Sequence, residues 1–281
     1  MTAVPVVCLD LDRTVIYSPA ALALSMPDHE APRLLCVELY RGVPLSFMTE
    51  RAVAALGLLQ AGAVVVPTTT RTAEQLARVH LPGPPARYAI AANGGHLLVD
   101  GVPDPGWAAT VRRRLSSCAP LVDVHAHLQA RSGPFVLNLR TASELFAYAV
   151  VDRAALPVDW VDELAAWCDP RGWTVSLQGR KVYAVPKPLT KSAAAREMLA
   201  RAGADTLLAA GDSLLDADLL AAADLAIRPA HGELHDVGFT LGHLSVTAAT
   251  GVAAGEELLE ALAAVVTAVP ASGPPRLSGR V

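Results

Sequence analysis

The chain has 281 residues, 52% of them hydrophobic and 18% charged, with a formal net charge of −4. A chain this apolar can bury a sizeable core, which excludes wholesale disorder, and the slight negative balance argues against nucleic acid or an anionic membrane as partner. The four cysteines, Cys8, Cys36, Cys118 and Cys168, form no C-x-x-C pair and read as reduced core residues of a cytoplasmic protein; no signal peptide is expected from the residues before Asp10, and no run approaches roughly 20 uncharged apolar residues.

Val4–Leu9 is a short apolar run without alternation, the pattern of a strand buried on both faces. It ends in Asp10-Leu11-Asp12-Arg13-Thr14. Two carboxylates this close repel unless a cation or a proton sits between them; a pair of acids capping turns explains the same residues. Leu34–Tyr40 and the turn Arg41–Pro44 predict a flap over the strand end, and Ser46 is placed to cap a helix through Leu59. Ala63–Val66 predicts a second buried strand, followed by Pro67-Thr68-Thr69-Thr70-Arg71-Thr72. Hydroxyls and free N–H groups at a helix start hold anions; simple capping by Thr72 of a helix through His80 is the plainer account. Tyr88–Ala91 predicts a third strand.

From about Gly95 to Val185 the strand–helix alternation breaks. Leu121–Val124, Phe135–Leu139, Ala147–Val150 and Val175–Leu177 predict strands, with a helix near Val158–Cys168. The stretch reads as an inserted α+β module. The domain expectation is a discontinuous core of 1–95 and 186–270, an insert of 96–185 and a disordered Pro/Gly/Ser-rich tail of 271–281.

Thr190 is placed to cap a helix through Ala202, with Lys191 in its first turn. A cation there opposes the helix dipole, so an anionic neighbour or a surface-seeking side chain must account for it, and Lys187 competes for any role. Thr206–Ala210 predicts a strand running into Gly211-Asp212-Ser213-Leu214-Leu215-Asp216, then a helix to Ala223, a strand at Leu225–Ile227 and a last helix at Glu256–Val266. Hard divalent cations take carboxylate and carbonyl oxygens, and open α/β sheets bind ligands at the carboxyl ends of their strands. His125 and His127 would share a strand face, and His231 and His235 a helix face; neither pair has the H-E-x-x-H order, and zinc is not expected.

These four segments, in this order, resemble the four motifs of the haloacid-dehalogenase (HAD) superfamily over Val4 to about Ile227. The place of the insert, with Ala91-Ala92-Asn93-Gly94-Gly95 before it and Val182–Pro186 after it, resembles the cap of the Cof-like and sugar-phosphate phosphatase branch. The resemblance implies an α/β fold with a Rossmann-like parallel-sheet core and a smaller α+β cap. It implies an Mg²⁺-dependent phosphatase acting on a small phosphorylated metabolite such as a sugar phosphate. Phosphotransfer to another acceptor, as in a mutase, and a catalytically weak binding or regulatory protein are the alternatives.

Roles follow position by position. Asp10 would be the nucleophile that becomes an aspartyl-phosphate, Asp12 the acid and base, and Lys191 the group that neutralises charge. Thr69 and Thr70 would bind phosphate oxygens. Asp10, the carbonyl of Asp12, Asp212 and Asp216 would hold the metal. Arg13, Arg71, Arg140, Gln178 and Arg180 are candidates to touch substrate. Arg13 departs from the family's usual glycine and Leu215 from its asparagine.

Overall fold

A computed structural model describes residues 4–268; the tail from Ala271 lies outside them. The first strand, β1 (Val6–Leu9), is buried along its whole length. A hairpin of β2 (Leu34–Tyr40) and β3 (Val43–Thr49) follows. Thr49, not Ser46, caps α1 (Glu50–Gly62): its hydroxyl accepts from the Ala52 amide at 3.1 Å. Ser46 lies inside β3 and donates instead to Glu38 at 2.7 Å, a tertiary partner that no local pattern reveals.

After β4 (Val64–Pro67), Thr72 and Gln75 form a reciprocal cap on α2 (Ala73–Leu76). That helix stops short of the expected His80, whose amide is drawn to the Val37 carbonyl of the hairpin. β5 (Tyr88–Ala91), β6 (His96–Val99) and β7 (Val102–Pro103) make a small antiparallel sheet of their own.

The insert runs through α3 (Pro105–Leu115), α4 (Leu121–Ala130), β8 (Val136–Ala142), β9 (Phe146–Val151), α5 (Trp160–Cys168), β10 (Trp173–Gln178) and β11 (Lys181–Pro186). Leu121–Val124 is helical, contrary to the expected strand. Val124 and Leu128 are the buried pair of α4, and four residues are too few to reveal their i, i+4 spacing. The strands form an antiparallel sheet of order β10-β11-β9-β8. Val182, Ala184, Ala147 and Ala149, all fully buried, share one face. The pleat puts Ser176, Lys181, Tyr183, Tyr148 and Arg140 on the other.

The chain returns through α6 (Lys191–Ala202), β12 (Leu207–Ala210), α7 (Ala217–Ala222), β13 (Leu225–Arg228), α8 (Glu233–Asp236), β14 (Leu244–Val246) and α9 (Gly251–Ala268). The main sheet is five-stranded and wholly parallel, in the order β14-β13-β12-β1-β4. Its residues alternate between two apolar layers: Val6 and Cys8 join one cluster, Val7 and Leu9 the other. Truncating Leu9 to Ala would cost about 2–5 kcal/mol, as such core deletions do. The first cluster runs without a break from the sheet through Ile90, Leu97 and Trp107 into Phe146, Trp160 and Trp173 of the insert. All four tryptophans, Trp107, Trp160, Trp167 and Trp173, belong to the insert.

Cys8 and Cys168 are buried, as expected of core thiols; Cys36 is exposed on the hairpin and Cys118 half-buried, and all four are unpaired. Among the described residues no helix is long and apolar enough to cross a membrane.

Candidate active site

β1 and β12 are neighbours in register, Leu9 beside Ala210, and the Asp10 amide donates to the Ala210 carbonyl at 3.0 Å. Their carboxyl ends therefore deliver Asp10 and Asp212 side by side. Asp216, at the end of the turn after β12, closes the group: the three carboxylates offer oxygens within 4.8 Å of one another. Gly211 is required here, because a Cβ would lie 2.4 Å from the Asp216 side chain.

Lys191, the first residue of α6, is fully buried among these acids. Its Nζ donates to Asp10 Oδ1 at 2.7 Å and Asp216 Oδ1 at 2.5 Å. The other Asp216 oxygen accepts from the Ser213 amide and hydroxyl at 3.0 and 2.6 Å. Thr14 donates to Asp10 Oδ2 at 3.1 Å. The anionic neighbour that a lysine at a helix start required is thus present. Lys187 is not at this site; it pairs with Asp169 on the surface of the insert.

Burial pushes the Asp10 carboxyl up to about 7, with Asp216 adding and Lys191 opposing. Asp212 is raised by burial, Asp10 and Asp216, against Arg13 and Lys191. Burial works to neutralise Lys191, but Asp10 and Asp216 overcome it and hold the ammonium above its ordinary pKa. Carboxylates that gather protons this readily are short of positive charge. A hard divalent cation supplies it, and the donor set is all oxygen, with no Cys or His, so the residues fit Mg²⁺.

Asp12 is engaged differently. Arg71 forks onto it, Nε to Oδ2 and Nη2 to Oδ1, both at 2.7 Å. Burial works to raise the Asp12 pKa, but the hydrogen bonds and charge of Arg71, helped by Lys181 and Lys191, hold it below the ordinary value. Arg71 also meets buried Glu38 of β2 at 2.9 Å, and Glu38 binds Arg78 and Ser46. The hairpin thereby fastens the turn after β4 to the turn after β1. Glu38 was not foreseen, since a lone acid in a strand carries no local signal.

The threonines diverge. Thr68 turns back to the Val66 carbonyl at 3.0 Å. Thr69 is buried, and its hydroxyl accepts from the Arg71 amide at 3.1 Å, which leaves its proton free to donate. Thr70 lies beside the Tyr183 phenol, whose pKa burial raises against the pull of Lys181 and the Thr70 hydroxyl.

Arg13 adopts φ 63°, the left-handed region that glycine occupies freely and other residues enter at about 1–2 kcal/mol. Its carbonyl is held by His231 Nε2 at 2.8 Å, while His231 Nδ1 accepts from the Gly251 amide at 3.2 Å. His231 is thus a neutral strut. It precedes α8 rather than sharing a helix face with His235, and His125 and His127 lie on helix α4 rather than a strand. The Arg13 Nε lies 3.4 Å from Asp212 Oδ2. Leu215 is buried as part of the first apolar cluster.

A crevice of about 350 Å³ opens from Arg13 and Asp212 toward the insert, lined there by Gln178, Arg180 and Arg153. Arg140 is exposed on the edge strand β8, outside the crevice. Two residues of the insert escaped the sequence reading: Lys181 and Tyr183, whose i, i+2 spacing on β11 puts both on the face turned to Asp12. A third, Glu233 of α8, accepts from Ser176 Oγ and the Leu177 amide, each at 2.7 Å, and from the Leu214 amide at 3.0 Å. It joins insert to core. A groove of about 900 Å³ beside the edge strand β4 contains none of these groups.

No protein-family model matches the chain. No curated protein matches it either. Solved structures do. It superposes on the sucrose-phosphatase of Synechocystis sp. PCC6803, solved with sucrose and phosphate, with a TM-score of 0.64 at 15% identity over 93% of this chain and 98% of that one. A HAD subclass IIB sugar phosphatase gives 0.55 at 12% identity, over 93% and 99%. The C-terminal domain of the C. albicans trehalose-6-phosphate phosphatase gives 0.54 at 12%, over 93% of each chain. Over 93% of its length, core and insert together, this chain shares its fold with these three phosphatases.

Proposed function

We propose that this protein is a phosphatase that removes phosphate from a small phosphorylated metabolite, in the class of sugar phosphates, through an aspartyl-phosphate on Asp10. The observation that carries the reading is the convergence of Asp10, Asp212 and Asp216 within 4.8 Å around a fully buried Lys191. Phosphoryl transfer asks a protein for positioning and charge neutralisation, and little else. Asp10, the Asp12 carbonyl, Asp212 and Asp216 would hold Mg²⁺, which when bound offsets the negative charge of the phosphoryl group.

The remaining work falls to the chain's own side chains. Asp10 attacks phosphorus while Lys191 balances its charge. Thr69 and Thr70 donate to phosphate oxygens. Asp12 gives a proton to the departing oxygen and takes one from the attacking water. Arg71 keeps Asp12 ionised in the resting site, which suits the second of those tasks. For the first, Asp12 must take up a proton from solvent as substrate enters, which requires the incoming phosphate to draw Arg71 away and so raise the proton affinity of Asp12. The insert, 96–185, acts as a cap that closes over the crevice and presents Lys181, Gln178 and Arg180 to the leaving group. The unpaired thiols suit a cytoplasmic enzyme.

The test is a rapid-quench experiment on Asp12→Asn with an activated aryl phosphate and Mg²⁺. Such a leaving group needs little protonation. A burst of phenol should precede turnover slowed by about 10²–10⁴-fold, the scale of a positioned proton-transfer group. Wild-type rates in Asp10→Asn would overturn the mechanism.

A further inference from the structure

Arg13 is the point at which this site differs most from its own logic. The turn Leu11–Ile16 needs a left-handed residue at its third position, and glycine meets that need without strain. An arginine is held there instead, its carbonyl pinned by His231. Its Nε is buried without a hydrogen-bond partner and faces Asp212 at 3.4 Å. The side chain as a whole is 40% exposed, and it lines the crevice between core and insert.

The charges can be counted. Asp10, Asp212 and Asp216 carry three negative charges when ionised, and Lys191 returns one. Asp12 is cancelled by Arg71. With glycine at position 13 the cluster would hold a net −2, enough to match one divalent ion. Arg13 reduces it to −1. A fixed cation beside a carboxylate opposes a second cation and favours an anion; the buried Nε is close enough to act, and the exposure of the rest of the side chain moderates the effect.

We infer that Arg13 sets the ion balance of this site: it weakens the divalent ion when bound alone and strengthens the phosphate, so that the two bind best together. The inference rests on the metal and phosphate reading given above. Its sign is distinctive. Removing the arginine should move the two affinities in opposite directions, which a merely structural role would not do.

The experiment is calorimetric titration of Mg²⁺ alone and of inorganic phosphate alone, above neutral pH. The proteins are wild type, Arg13→Gly, Arg13→Gln and Arg13→Lys. Arg13→Gly and Arg13→Gln should take Mg²⁺ about tenfold more tightly, the scale expected from removing one like charge a few ångströms from the ion at a partly solvated site. Both should bind phosphate more weakly, and Arg13→Lys should stay near wild type. A shift in Arg13→Gly without one in Arg13→Gln would trace the effect to backbone strain and overturn the inference. Equal Mg²⁺ affinity in all four proteins would overturn it while leaving the phosphatase reading intact. Absence of Mg²⁺ binding in all four would sink both.

Discussion

Asp10 holds a proton more tightly than an ordinary carboxylate, up to about 7, through burial first and Asp216 second. The folded protein therefore binds protons that the unfolded chain releases. That contribution to stability is complete below the ordinary carboxylate pKa and is lost as pH rises toward 7. Asp212 acts in the same direction. Asp12, whose pKa is lowered, contributes the opposite slope, but in more acid solution. In a chelating buffer the melting temperature should fall between about pH 4 and 7. Mg²⁺ or Asp10→Asn should flatten the fall, and Asp10→Asn should melt no lower than wild type, since it relieves crowding. A melting temperature that rises across that window in chelator would contradict this account. At this scale the sequence was most readable: acids and a lysine at strand ends announce themselves by position. The grip of Arg71 on Asp12 did not, because it depends on a hairpin brought alongside by tertiary packing.

Elements were legible where period and capping agreed. β1, β12 and α6 lie where apolar runs and Thr190 put them. α1 begins later than expected because Ser46 found Glu38, and α4 replaced a strand because four residues show no period. The link from α8 to β10 left no trace in the sequence, since Glu233 and Ser176 are 57 residues apart. Two amides and a hydroxyl converge on that one carboxylate, and hydrogen bonds to a charged group are worth about 1.5–3 kcal/mol each. Glu233→Ala should therefore speed hydrogen exchange at the Leu177 amide in the insert and the Leu214 amide in the core together. Faster exchange at Leu214 alone would mean that Glu233 only orders the loop after β12 and does not tie the insert down.

At the scale of the whole molecule, the doubly layered sheet was foreseeable from the strand–helix alternation, and the insert from its interruption. The continuity of the apolar packing between them was not, because it is made by residues such as Ile90, Trp107 and Phe146 that carry no mark of their neighbours. Trp107 adds a hydrogen bond from its Nε1 to the Gly94 carbonyl at 2.8 Å, at the start of the insert. A shared core predicts a single cooperative unfolding step. Far-ultraviolet circular dichroism, which reports every helix and strand, should lose its signal at the same denaturant concentration as tryptophan emission. An earlier fluorescence transition would show the insert melting as a unit of its own. The comparison is possible because the segments on either side of the insert, 1–95 and 186–270, contain no tryptophan. The same arrangement makes Trp107, packed at the start of the insert and bonded to the Gly94 carbonyl, a native optical gauge: a ligand whose binding shifts that junction should change its emission, with no dye attached.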